Sequence, residues 1–113
     1  MKKMGGGVKN VLFVCSQNRL RSPTAEQIFS SRSDLEVNSA GTNRGADNPL
    51  TDELIVWADV IFAMERVHRS KIQQMFRGLL KDKRIICLNI PDNYEFMDPD
   101  LVALLVTKLA KYL

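Results

Sequence analysis

The chain has 113 residues, of which 45% are hydrophobic and 26% are charged, and its net charge at pH 7 is +3. This length and hydrophobic content predict one globular domain and argue against a disordered or repetitive protein. The charge is too small to indicate a polyanionic partner, and no apolar run is long enough to cross a membrane. We therefore expect neither nucleic acid nor a membrane as a partner.

The domain is predicted over residues 8–113. The glycine-rich segment 1–7 before it is expected to be a flexible lead-in. Two cysteines, Cys15 and Cys87, occur in a chain with no export signal. That pattern is typical of a reducing compartment, so we expect a cytoplasmic protein.

The first predicted strand, at about 10–15, ends in a cysteine. The residues before Cys15 are aliphatic, β-branched and aromatic, which is typical of a strand buried on both faces. Ser22 and Pro23 are then predicted as the N-cap and first residue of a helix at about 23–31. The loop between them thus joins a buried strand to a helix N-terminus.

This loop combines the features of an anion-binding site with a nucleophile. Its backbone N–H groups lack strand and helix partners, and together with the helix dipole they can form a cradle. Arg21 can close the cradle with a planar fork that matches two phosphate oxygens. Only about 3% of an ordinary thiol is ionised at pH 7, so the whole loop is needed to hold Cys15 as a thiolate. The pattern predicts capture of a phosphate-like dianion and attack on it by Cys15. The predicted substrate-binding residues of the loop are Ser16, Gln17, Asn18, Arg19, Leu20 and Ser22.

Strands and helices alternate along the rest of the chain. Further strands are predicted at about 35–39, 60–64 and 84–90, and further helices at about 51–57, 67–80 and 99–112. Such alternation predicts an α/β, three-layer domain: a four-stranded parallel sheet with helices on both faces and the phosphate loop after strand 1. Ligands of such sheets bind beyond the carboxyl ends of the strands, where Cys15, Glu65 and Asp92 fall.

Four segments resemble the low-molecular-weight protein tyrosine phosphatases. The segments are Val11–Glu26, Asn38–Thr42, Asp59–Glu65 and Ile90–Tyr94, and the resemblance extends from Val8 to Leu113. It implies a metal-independent phosphomonoester hydrolase without a cofactor, working through a cysteinyl-phosphate. The implied substrate is a phosphorylated protein, above all phosphotyrosine, or a small phosphomonoester.

The resemblance also implies roles for single residues. Cys15 would be the nucleophile, Arg21 would hold the phosphoryl group, and Asp92 would be the general acid. Asp98 and Asp100 remain alternatives to Asp92, although Asp98 is expected to cap the last helix and Asp100 to lie in its first turn.

A hydrogen-bond network of Asn18, Ser22 and Ser39 is implied as the support of the phosphate loop. Segment 42–57 is much shorter than in typical members, which place there an aromatic residue lining the substrate cleft and a histidine supporting the loop. Neither is recognisable here, which leaves Tyr94 as the candidate aromatic wall.

Two other function classes remain open. Arsenate reductases share this type of loop but need a resolving cysteine, and Cys87 is expected to be a buried, inert strand residue. A non-hydrolytic phosphate-binding or phosphocarrier module is the other alternative, and Arg21 argues against it. His68, at the start of the third helix, is expected at the surface.

Overall fold

Four parallel strands form the centre of the computed structural model, which describes residues 8–113. The predicted lead-in over 1–7 lies outside the described residues. The strands are β1 (Lys9–Cys15), β2 (Leu35–Gly41), β3 (Val60–Ala63) and β4 (Arg84–Cys87), in the order β2-β1-β3-β4. The helices are α1 (Arg21–Phe29), α2 (Asp52–Trp57), α3 (Arg66–Met75) and α4 (Pro99–Leu109), with a 3-10 turn at Arg77–Leu79. The predicted α/β fold with a four-stranded parallel sheet is confirmed.

The two faces of the sheet carry separate hydrophobic layers because neighbouring residues of a strand point to opposite sides. Val11 and Phe13 of β1 face α1 and α4, where Phe13 stacks on Phe29 at 6.0 Å between ring centroids. Leu12 and Val14 face α2 and α3. With both faces covered, the central strand β1 is buried from Val11 to Cys15.

The strand register places the carboxyl ends of β1, β2 and β3 at one edge of the sheet. Cys15 at the end of β1 pairs with Gly41 at the end of β2, and Val14 pairs with Ala63 at the end of β3. The segments that follow these strands therefore meet at this edge. Within residues 8–113, no helix is both long and apolar enough to cross a membrane.

The predicted start of the first helix is wrong. α1 begins at Arg21, with Leu20 in the N-cap position, and Ser22 lies in the first turn. The Oγ of Ser22 is turned toward the Sγ of Cys15, so it does not cap the helix.

Other predicted elements are longer than the observed ones. α3 ends at Met75 because the backbone of Phe76 leaves the helical region, and the Phe76 side chain is then buried in the core. β4 ends at Cys87, shortly before Asn89, which has a positive φ of 56°. Cys87 was expected to be buried, but it is partly exposed because β4 lies at the edge of the sheet.

Candidate active site

The loop after β1 is held with three of its carbonyl groups turned outward. In each trans peptide the C=O and the following N–H point in opposite directions, so the N–H groups of these peptides face inward. The outward groups accept hydrogen bonds from the segment after β2, and the inward groups can donate to the Sγ of Cys15 and to an anion above it. The hydrogen bonds run from the N–H groups of Thr42, Asn43 and Asp47 to the carbonyls of Cys15, Ser16 and Gln17, at 2.9, 3.0 and 2.9 Å.

Gly41 permits this close approach of β2 to the loop. A Cβ at Gly41 would lie 2.5 Å from the carbonyl oxygen of Ser16 and 2.5 Å from the Cβ of Ala46. Only glycine lacks the atom that would collide, so this residue fixes how near the supporting segment can come.

Cys15 lies at the bottom of the loop and is 3% exposed. Its Sγ accepts a hydrogen bond from the backbone N–H of Asn18 at 3.3 Å and lies 3.0 Å from the Oγ of Ser22. Asn18 adopts a positive φ of 57°, a conformation that asparagine tolerates better than most residues. The turn at Asn18 thus directs a backbone donor at the sulfur.

A buried polar network continues below the loop. The side-chain amide of Asn18 donates to the Oγ of Ser22 and to the Oγ of Ser39, each at 2.9 Å, and Ser39 donates to the carboxylate of Glu26 at 2.5 Å. Because Ser22 accepts from Asn18, its own hydroxyl proton is free to point at the Sγ of Cys15. The direction of the network therefore makes Ser22 a hydrogen-bond donor to the sulfur. The sequence did not single out Glu26 for this network.

Arg21 is buried, and it is held in place before any ligand arrives. Its Nη1 donates to the Oε1 of Glu65 at 2.8 Å and to the carbonyl of Ile90 at 2.7 Å. Both Nη1 protons are used in these bonds, which leaves the edge formed by Nε and Nη2 for a ligand. Glu65 and Ile90 thus orient the guanidinium, a role that the sequence did not assign to them.

Asp92 is the carboxylate that lines the cavity above Cys15. Its Oδ1 lies 3.7 Å from the Nε of Arg21, and its side chain is 63% exposed. Asp98 instead caps α4 by accepting a hydrogen bond from the N–H of Asp100 at 2.9 Å. Asp98 and Asp100 therefore occupy the start of α4.

A cavity of about 240 Å³ opens above Cys15. Its lining residues are Cys15, Ser16, Gln17, Arg19, Leu20, Arg21 and Asp92. No aromatic residue is among them. Within residues 8–113, no group of three or more His, Cys, Asp or Glu side chains is arranged to hold a metal ion.

Three residues predicted to bind substrate lie elsewhere. Asn18 and Ser22 are buried beneath the loop, where they belong to the supporting network. Tyr94 packs against the hydrophobic layer on the α1 and α4 side, outside the residues that line the cavity. Arg19 does line the cavity, where its Nε donates to the Oδ1 of Asp47 at 3.1 Å and both side chains are exposed.

His68 was expected at the surface, and this expectation is wrong. The residue is fully buried, its Nδ1 accepts a hydrogen bond from the N–H of Glu65 at 3.0 Å, and its Nε2 lies 2.8 Å from the Oγ of Ser16. Burial, and next the nearby positive charge of Arg21, lower the pKa of His68 to about 4. The imidazole is therefore neutral at pH 7. The available signal was its position three residues after Glu65, which is the spacing of a capping box.

Comparison with known proteins places this site in a family. Residues 10–57 match the model of the low molecular weight phosphotyrosine protein phosphatases. A protein-arginine-phosphatase of Bacillus subtilis (strain 168) is 33% identical over 101 residues, covering 66% of this chain and 67% of that protein.

Solved structures of similar fold include two phosphatases. A low molecular weight protein tyrosine phosphatase from Streptococcus pyogenes has a TM-score of 0.76 at 19% identity, covering 94% of each chain. The arginine phosphatase YwlE from Geobacillus stearothermophilus has a TM-score of 0.71 at 22% identity, covering 91% of each chain.

Proposed function

The chain belongs to the low molecular weight phosphotyrosine protein phosphatase family and is a phosphatase of that family; we propose that it hydrolyses phosphotyrosine in proteins through a cysteinyl-phosphate. The observation that carries this proposal is the buried Sγ of Cys15, which lies among inward-facing donors beneath a cavity closed by Arg21 and Asp92.

In the first step, the thiolate of Cys15 attacks phosphorus and the bond from phosphorus to the tyrosine oxygen breaks. Asp92, in its acid form, gives its proton to that oxygen, which leaves as a phenol. The loop N–H groups and the Nε–Nη2 edge of Arg21 hold the three equatorial oxygens as their charge develops.

In the second step, the carboxylate of Asp92 takes a proton from water. The water oxygen attacks phosphorus, and the bond from phosphorus to the Sγ of Cys15 breaks. Inorganic phosphate and the thiolate result, and Asp92 is again an acid. Neither step needs a metal or a cofactor.

The depth of the thiol limits the substrates. Because Cys15 is 3% exposed, the phosphoryl group must be carried on a long side chain to reach the sulfur. Tyrosine meets this need, and its phenol, with a pKa of about 10, leaves far more readily than the alkoxide of serine or threonine. This reasoning supports phosphotyrosine over the shorter phosphoresidues.

Phosphoarginine is the second candidate, since the relative from Bacillus subtilis is a protein-arginine-phosphatase. Arginine is also long, and the cavity offers the carboxylate of Asp92 but no aromatic ring. A guanidine leaving group pairs with a carboxylate, whereas a phenol ring packs best against an aromatic face.

The arsenate reductase alternative gains no support from the position of Cys87. Cys87 lines a separate surface groove with residues of α4, and its Sγ donates to the Oδ1 of Asn89 at 3.4 Å. It therefore does not share the cavity of Cys15, as a resolving cysteine of an arsenate reductase would need to do.

The substrate is tested with peptides of one sequence that carry phosphotyrosine, phosphoarginine or phosphoserine, with Cys15→Ser as the control. We expect phosphate release from the phosphotyrosine peptide with the highest kcat/KM, little release from phosphoserine, and none with Cys15→Ser. A higher kcat/KM for the phosphoarginine peptide would show that phosphoarginine, and not phosphotyrosine, is the preferred substrate. Release by Cys15→Ser at the wild-type rate would refute the mechanism.

The general acid is tested by Asp92→Asn against the matched change Asp98→Asn. Asparagine caps a helix as well as aspartate, so Asp98→Asn should keep both fold and turnover. Asp92→Asn should lower kcat on the phosphotyrosine peptide by about 10²-fold, the usual contribution of a general acid, while phosphate binding is kept. If Asp98→Asn lost turnover and Asp92→Asn did not, the acid would be Asp98.

A further inference from the structure

The side chains of Ser16, which is half-buried, and His68, which is buried, are hydrogen-bonded at the edge of the cavity, and the steps proposed above do not use either of them. Ser16 is the first residue after the nucleophile and lines the cavity, whereas His68 is fully buried behind it on α3. The Oγ of Ser16 and the Nε2 of His68 are 2.8 Å apart.

The backbone of Glu65 decides which nitrogen of His68 carries the proton. Its N–H donates to the Nδ1 of His68 at 3.0 Å, so that nitrogen must present a lone pair. A neutral imidazole has one proton, which then has to be on Nε2. Nε2 is therefore the donor, and the Oγ of Ser16 is the acceptor.

The direction of this bond determines what Ser16 can do. Since its Oγ accepts from His68, its hydroxyl proton cannot point back at the imidazole. Within residues 8–113 no other partner of this Oγ is present, and Ser16 is one of the residues that line the cavity above Cys15. An anion in the cavity is the acceptor that this geometry offers to the proton.

We propose that the Ser16 hydroxyl donates a hydrogen bond to the phosphoryl group, and that His68 is a positioning residue that keeps the hydroxyl proton turned toward the cavity. This inference rests on the proposed function for its ligand, because it adds a side-chain donor to the backbone cradle. His68 acts on Ser16 as Asn18 acts on Ser22: the amide of Asn18 donates to the Oγ of Ser22 and so leaves that hydroxyl proton to point at the Sγ of Cys15.

The test measures binding of inorganic phosphate and of orthovanadate to wild type, Ser16→Ala, Ser16→Thr, His68→Gln and the double variant Ser16→Ala with His68→Gln. Because Ser16→Ala removes a hydrogen bond to a charged group, we expect it to weaken binding about tenfold or more. Ser16→Thr keeps the hydroxyl and should bind as the wild type does. Glutamine is favoured three residues after an N-cap, so His68→Gln keeps the helix start while removing the imidazole.

Non-additivity separates a positioning role from a merely structural one. His68→Gln should weaken phosphate binding in the wild type but have no further effect in Ser16→Ala, because the hydroxyl that His68 orients is then absent. Equal effects in both backgrounds, or unchanged binding by Ser16→Ala, would overturn the proposal.

A measurement on the unmodified protein covers the case in which a variant does not fold. The ¹⁵N chemical shifts of His68 at pH 7 should show a proton on Nε2 and none on Nδ1, and a proton on Nδ1 would overturn the proposal. Binding and tautomer are both measured without turnover. They can therefore succeed even if phosphate release from peptides fails, which would refute only the proposed function.

Discussion

At the scale of single residues, the site is organised by the direction of its hydrogen bonds. Ser22 is free to donate to the Sγ of Cys15 because its Oγ is occupied by Asn18. Arg21 presents one edge because its Nη1 is occupied by Glu65 and Ile90. In each case a neighbouring residue occupies one hydrogen-bonding position of the side chain and leaves another for the reaction.

The neutrality of His68 makes stability depend on pH. The folded pKa of about 4 lies below the ordinary 6.5, so the unfolded chain takes up the proton first. The stability from a neutral His68 is complete above about pH 6.5 and is lost as the pH falls toward 4, by up to about 1.4 kcal/mol per pH unit. Burial, and then the charges of Arg21 and Lys71, lower the pKa of His68, while the carboxylates of Glu65 and Asp92 raise it.

We therefore expect His68→Gln to lose less stability than wild type between pH 6.5 and pH 4.5. Urea unfolding of both proteins across this range measures the difference, and the carboxylates that titrate in both proteins cancel in the comparison. If the unfolding free energies of the two proteins changed in parallel with pH, His68 would not contribute to the pH dependence of stability.

At the scale of elements, the first turn of α1 holds both ends of the segment that carries Asp92. Arg21 binds the carbonyl of Ile90 just before this segment. Thr24 is fully buried, and its Oγ1 donates to the carbonyl of Leu20 at 2.6 Å and accepts from the N–H of Met97 at 2.9 Å. One hydroxyl thus joins the phosphate loop to the far end of segment 91–97.

Thr24→Val should break this connection while keeping the shape of the side chain. The N–H of Met97 loses its partner and the carbonyl of Leu20 keeps only the bond from the N–H of Thr24, so we expect a loss of about 1 kcal/mol in unfolding free energy. Because Asp92 is less well placed, kcat on the phosphotyrosine peptide should fall more than phosphate affinity. Thr24→Ser keeps the hydroxyl and is the control. A wild-type kcat in Thr24→Val would show that this connection does not place Asp92.

At the scale of the whole molecule, the sequence predicted those features of the fold that depend on residues close together along the chain. The apolar run before Cys15 and the alternation of strands and helices predicted the parallel sheet, and the residues from Cys15 to Arg21 predicted a phosphate loop. The burial of His68 did not follow from its neighbours, because its partner Ser16 is 52 residues away along the chain. The contact between Thr24 and Met97 joins residues 73 positions apart, so it could not be predicted from neighbouring residues either. Such contacts depend on which loops the strand order brings to one edge.

The central claim is that Cys15 becomes phosphorylated during turnover. The most direct test mixes the Asp92→Asn variant with a phosphotyrosine peptide and quenches the reaction with acid within milliseconds. The protein is then analysed by peptide mass spectrometry. We predict the mass of one added phosphoryl group on the peptide that contains Cys15, appearing before free phosphate and absent in the variant that also carries Cys15→Ser. Release of phosphate with no phosphorylated Cys15 at any time, or a phosphoryl group on another residue, would contradict the account.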